Sequence, residues 1–469
     1  MNNIQSINVN SNRFLNLDNK RGFSVPIGNS NNKINNNALY SGVSFCAAAT
    51  TIPRNTTLNN EEIKKYNTIL ELFKDSKPTE TSFNLTPSQQ MDKLLKNGKL
   101  LSKSNDGTTM LENLYQIATI KRAENLNQKN LISNILDNTL NPRIITQTLG
   151  DVPKNEVNTI LNKLPSDDPL RKKPEMMSVV TSGTCPAASN EVNLADKNPA
   201  EYSRWVNSLS SDEKSVTLNI NLDSISPNKL DACMILNMLG ANVTKFGFDK
   251  TKIDIKLDPN AFIRAKLQDN YWDLGERNVA DVLVQSAIMQ AGSQNTYNSL
   301  TDMRGGDFNA NPKGLIEVEK TFVESLIKNQ EITSLVYQQI DENQNLVGHT
   351  CSFDKMEKHI KDSIDSGNNV IIGYVLTNET VGKVASGLYN PMVDGPKNKV
   401  INGHEITIVD YKTDKNGKTS FVCIDTDDDS SDYVEYSAEW LLPKIHHAGY
   451  PAKIVAEDEK EIMKKANMV

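Results

Sequence analysis

The stretch "GHEITIVDYKTDKNGKTSFVCIDTD", residues 403–427, reads as two strands joined by a tight turn. β-Branched and aromatic residues fill both halves, and such residues favour extended backbone. Asn416-Gly417 between them is a strong hairpin signal, because both accept the positive φ that a two-residue turn needs. Side chains alternate along a strand. His404, Ile406 and Ile408 therefore share one face, and Glu405, Thr407 and Val409 the other. On the second strand Asp425 shares a face with Phe421 and Cys423. The turn is predicted to fold Asp425 back beside His404, which follows Gly403 and is predicted to open its strand. A carboxylate so placed can orient an imidazole. Asp427 has the same parity and is the rival orienter, within the acidic run "DTDDDSSD".

Moving outward, "VIIGYVLT" from residue 370 is a third strand candidate. The amphipathic "DKMEKHIKDSIDSGNN" precedes it and reads as a helix ending near Gly367. "NVADVLVQSAIMQAG", residues 278–292, is a further helix with Asn278 as its cap and Gly292 at its end. Helices and an antiparallel hairpin in one region predict an α+β fold.

Far upstream lies "TSGTCPAASNEVNLA", residues 181–195. Proline is favoured in the first helical turn, where its missing N–H costs nothing. Pro186 therefore predicts a helix starting at Cys185, with Ala188, Val192 and Ala195 facing inward. The positive end of the helix dipole favours a thiolate there. Gly183 permits close approach of a substrate. With Thr181, Ser182 and the local backbone N–H groups, it is a candidate for holding an oxyanion. A cysteine alone is more often a small buried apolar residue. Cys185, His404 and Asp425 together supply a nucleophile, a base and an orienter.

These segments resemble the papain-like cysteine peptidase superfamily, in its calpain-like or bacteriocin-processing variants. "GTCPAAS" is similar to the nucleophile segment, "GHEITIVDY" to the histidine strand and "FVCIDTD" to the orienter strand. "IKDSIDSGNNVIIGYV" is similar to the helix and strand that precede the histidine. The resemblance implies a catalytic helix packed on a C-terminal antiparallel sheet. It implies thiol-dependent hydrolysis of peptide or isopeptide bonds by a Cys185–His404–Asp425 triad. Two alternatives stay open: a transglutaminase-like acyl transferase, and an inactive scaffold that keeps the fold as a binding protein. The chain departs from the family at three points. No glutamine stands shortly before Cys185, Pro186 stands where an aromatic often follows the cysteine, and the 219-residue separation of His404 from Cys185 implies an insertion at roughly 211–341.

The rest of the chain bounds these expectations. It has 469 residues, and residues 1–60 hold 16 asparagines, a composition that predicts a disordered tail. Residues 61–165 carry apolar stripes at helical spacing and predict a helical domain, either a pro-region or an adaptor. A Pro-rich linker leads to a papain-like domain over 175–450 with a large helical insertion, and 451–469 reads as a solvated C-terminal helix. The net charge of −7 and the absence of basic runs argue against nucleic acid. No apolar run spans a bilayer and no secretory leader is evident, so a cytoplasmic location is the default, with non-classical export open. Cysteines number five, without CxxC, so neither a disulfide framework nor a zinc ribbon is expected. His349 lies beside Cys351 without a second such pair, so no metal is expected. P-loop, GxGxxG, HExxH and GxSxG motifs are absent from the sequence, and no cofactor is expected. The partner implied is a protein or peptide substrate.

Overall fold

The computed structural model describes residues 56–466 except 80, 178–182, 294, 306–313, 381–386, 388 and 428–431. The Asn-rich stretch 1–55 lies outside the described residues.

Local chemistry sets the first helices. Asn59 accepts the Glu61 and Glu62 N–H groups at 2.9 Å each and starts Asn60–Leu72. Thr86 and Thr109 form reciprocal caps with Gln89 and Glu112 for Pro87–Lys96 and Met110–Thr119. Each cap satisfies N–H groups that the first turn leaves unpaired. The next helix, α1 (Gln128–Leu140), is capped by Asn127.

The apolar stripes of these helices do not close a core of their own. Ile69, Leu94, Leu114, Ile132 and Leu136 belong to one buried cluster with Val192, Trp205 and Leu283. Those last residues lie in α2 (Cys185–Lys197), Pro199–Leu209 and α3 (Val279–Gly292). Residues 186–195 of α2 are all buried, so it is enclosed on every side, not along the single stripe predicted.

The main sheet has six strands: β1 (Ile332–Val336), β2 (Val370–Thr377), β3 (Val400–Thr413), β4 (Thr419–Ile424), β5 (Val434–Ser437) and β6 (Ile445–Pro451). Their order is β5-β4-β3-β2-β6-β1, and every neighbouring pair is antiparallel. The β3–β4 turn is the Asn-Gly hairpin, with Gly417 at φ +79°. One sheet face covers a second core with α5 (Phe353–Asp365) and α6 (Ala452–Ala466), through Met356, Ile360, Val455 and Ile462. The other face carries α2, and α4 (Glu317–Lys328) packs between α2 and β1.

Two expectations are corrected. His404 does not open its strand. The strand begins at Val400, and Gly403 lies extended opposite Val375. Nor is the C-terminal helix simply solvated, since Val455 and Ile462 are buried and Asp458 pairs with His359 and Lys355. The insertion before β1 is structural: α3 packs on α2, and β1 forms one edge of the sheet. Among the described residues no helix is long and apolar enough to cross a membrane.

Candidate active site

The residues singled out in sequence meet where α2 abuts the sheet. Thr184 is the N-cap of α2, Cys185 its first residue and Pro186 its second. Thr184 makes no side-chain cap to its own helix. The Cys185 thiol is half-buried.

On β3, His404 pairs across the sheet with Tyr374, and β4 ends one residue before Asp425. His404 Nε2 lies 2.6 Å from Asp425 Oδ1. The Cys185 thiol lies close enough to His404 to act on its pKa. With Nε2 engaged by Asp425, Nδ1 is the ring nitrogen left for the sulfur. The side chains of His404 and Asp425 are 15% and 12% exposed, so the site is sheltered but reachable.

Burial acts to lower the His404 pKa. The Asp425 charge and hydrogen bond, with the thiol, outweigh burial and raise it well above 6.5. Burial would raise the Asp425 pKa, yet the imidazole holds it below the usual carboxylate range. The Asp427 N–H donates to Asp425 Oδ1 at 3.1 Å. The rival acid thus supports the orienter through its backbone, while its side chain is exposed. The Tyr374 ring stands edge-on to His404, centroids 5.8 Å apart, and its phenol is pushed up to about 12 by burial.

Of the oxyanion candidates, Gly183 is placed beside the site, and Thr181 and Ser182 lie outside the described residues. Gly314 presses on this turn: a Cβ there would stand 2.0 Å from the Gly183 carbonyl oxygen. Sequence reading missed Gly314, whose role depends on a chain passage remote in sequence.

Two buried polar networks brace the site. Behind β3, Glu405 Oε1 lies 3.2 Å from His447 Nε2 and Oε2 lies 3.4 Å from Lys320 Nζ. Burial opposes the charge on Glu405, but Lys320 and His447 hold its pKa down to about 2. Along α2, Glu191 shares a hydrogen bond with Asp281 of α3. Burial raises both, Asp281 to about 7, so the pair holds a proton. Tyr202 donates to Glu191, and Asn138 of α1 donates to Asp281 at 2.6 Å.

The other histidines lie elsewhere. His349 Nε2 is 3.1 Å from the Pro443 carbonyl in a small hairpin, and His446 and His447 sit on β6. Among the described residues no group of three His, Cys, Asp or Glu side chains could hold a metal ion.

Comparison of the chain with known protein families, with curated proteins and with solved structures returns no match. What is established is an α+β protein with a thiol–imidazole–carboxylate cluster at a helix start and a sheet hairpin.

Proposed function

We propose that the chain is a papain-like cysteine peptidase, a hydrolase of peptide or isopeptide bonds. The observation that supports this most is the setting of His404, with Asp425 at 2.6 Å and the Cys185 thiol close by. A charged acid on one ring nitrogen and a thiol on the other favour transfer of the thiol proton to the ring. The elevated His404 pKa acts in the same direction.

The Cys185 sulfur attacks the substrate carbonyl carbon, and negative charge collects on its oxygen at the start of α2. Pro186 has no N–H, and the Ala187 and Ala188 N–H groups donate to the Thr184 carbonyl at 2.9 Å each, so the Cys185 N–H is the first-turn donor that receives this charge. His404 then gives its proton to the departing amine as the C–N bond breaks, leaving a thioester on Cys185. Water, losing a proton to His404, attacks the thioester carbonyl. The C–S bond breaks, the acid leaves, and the thiolate–imidazolium pair is restored. Asp425 stays ionised throughout and keeps Nδ1 aimed at sulfur.

The test is alkylation of the folded protein with iodoacetamide, or with an epoxide of the kind that inhibits papain-like enzymes. Cys185 should react far faster at neutral pH than Cys233, which is also half-buried. Equal rates at the two thiols would sink the proposal.

A further inference from the structure

Resting on the peptidase proposal, we infer that Arg277 is a positioning residue that holds the nucleophile turn and the orienter strand in one register. Its guanidinium is fully buried and forks onto Asp302, Nη1 to Oδ1 at 3.0 Å and Nη2 to Oδ2 at 3.1 Å. That ion pair neutralises the charge. A buried pair contributes little net stability by itself, so its use lies in what else the fork touches.

In one direction Nη2 donates to Thr184 Oγ1, on the residue immediately before Cys185. A threonine at a helix start ordinarily turns its hydroxyl to its own first turn. Thr184 makes no such cap, and its hydroxyl serves Arg277 instead.

In the other direction Nη2 donates to the Gln147 carbonyl at 2.6 Å. The Gln147 N–H donates to the Thr426 carbonyl at 2.9 Å, and Thr146 Oγ1 donates to the same oxygen at 2.9 Å. Thr426 directly follows Asp425. Residues 146–148 are tied down twice more, by the Arg277 N–H on the Thr148 carbonyl at 2.8 Å and by Gln285 Nε2 on the Thr146 carbonyl at 2.9 Å. The guanidinium is thus one residue from the nucleophile and one peptide strut from the orienter. Lysine has the charge but not the planar fork needed to reach both sides at once.

The strut also gives the helical region a role. Thr146 and Gln147 follow α1 in the chain and hold the orienter turn, so this segment is part of the site and not a removable cover.

The test uses the full chain and the rate of Cys185 alkylation by iodoacetamide at pH 6 and at pH 9, resolved by peptide mass spectrometry. At pH 6 a thiol reacts quickly only when paired with an imidazolium. At pH 9 an ordinary thiol, ionising near about 8.5, is ionised anyway. Thr184→Val removes the acceptor at nearly constant volume. It should slow the pH 6 rate about tenfold, as a misplaced catalytic group does, and leave the pH 9 rate within about twofold. Arg277→Lys should act the same way, whereas Thr184→Ser should keep the wild-type ratio of the two rates.

The proposal is overturned if the ratio is unchanged in Thr184→Val and Arg277→Lys, or if Thr184→Ser fails as the valine does. It is equally overturned if both variants merely loosen the fold and raise labelling at pH 9. A wild-type Cys185 no faster than Cys233 at pH 6 would instead remove the peptidase proposal on which it stands.

Discussion

Two of the histidine–carboxylate pairs, one on the main sheet and one between the helices that cover it, have their imidazole pKa values shifted in opposite directions. His404 and Asp425 lie 2.6 Å apart, and the imidazole pKa is raised well above 6.5. His359 of α5 and Asp458 of α6 lie 3.0 Å apart, and there the imidazole pKa is lowered. Burial acts to lower both. The partner decides. Asp425 is sheltered, so its charge acts through little water. Asp458 has a side chain 30% exposed and is shared with Lys355 at 2.7 Å, which blunts its hold on the ring. The nearby thiols differ in setting. Cys185 is the first residue of α2 and adjoins His404, whereas Cys351 precedes α5 and its thiol is pushed up to about 11 by burial. A histidine, an acid and a nearby cysteine thus occur in two settings, and only at His404 does the acid outweigh the burial of the ring.

The sharpest way to break this comparison is to delete each imidazole. His404→Ala, or Cys185→Ala, should lower peptide hydrolysis roughly 10⁴-fold or more, as loss of a nucleophile or base does elsewhere. His359→Ala should leave the rate per folded molecule within about twofold and act on stability alone. Equal losses at both sites, measured on a fluorogenic peptide with the folded fraction known, would mean that the pairs are not distinct in function.

Neutralising the acids probes the same contrast. Removing the Asp425 charge leaves His404 with burial, which lowers its pKa. In Asp425→Asn the imidazolium is thus lost at lower pH, and the alkaline limb of kcat/KM should move down by about 1–3 pH units. Asp458→Asn should leave that limb in place. A pH–rate profile for each variant decides it, and an unmoved limb in Asp425→Asn would detach the acid from the imidazole.

A third histidine, paired with Glu405, tests packing rather than charge. His447 lies over Gly373 of β2, where a Cβ would stand 2.3 Å from the ring. Gly373→Ala should displace His447 from Glu405 and cost about 1–3 kcal/mol, as overpacking does. Denaturant unfolding would read it, and full stability in the alanine variant would show that the ring moves aside freely.

Much of the fold was legible in sequence because the signals are local. Asn416-Gly417 marks its hairpin, Pro186 marks the start of α2, and Asn59, Thr86 and Asn278 cap the helices that they precede. The hairpin returns Asp425 towards His404, but the register shift between Ile408 and Asp410 is what sets the two on one face, and parity alone does not foretell it. What stayed hidden depends on distant chain. Nothing local singles out Arg277, which directly precedes a helix cap, and only the arrival of residues 147, 184 and 302 makes it a buried hub. Parity places Glu405 on the face opposite His404, but nothing local foretells that Lys320 and His447 enclose it there. The glycine before His404 looked like a strand boundary, but opposite Val375 it simply continues the ladder.

The smallest effect tests the second pair in isolation. Because the His359 pKa is lowered in the folded protein, the unfolded chain binds more protons between that value and the ordinary 6.5. Stability contributed by the neutral ring is full above 6.5 and declines as pH falls towards the folded value. His404 has the opposite sign: its contribution is present below 6.5 and fades as pH rises through its elevated folded value. Unfolding midpoints taken from pH 7 to pH 5 should therefore fall less in His359→Gln than in the wild type. His404→Gln should instead lose a contribution that the wild type keeps across that range. The glutamine at 359 can still bond the Tyr337 hydroxyl, now 2.8 Å from the ring nitrogen, so packing is largely spared. Parallel midpoint curves for the wild type and His359→Gln would show that Asp458 offsets the burial of its ring and leaves its pKa unshifted.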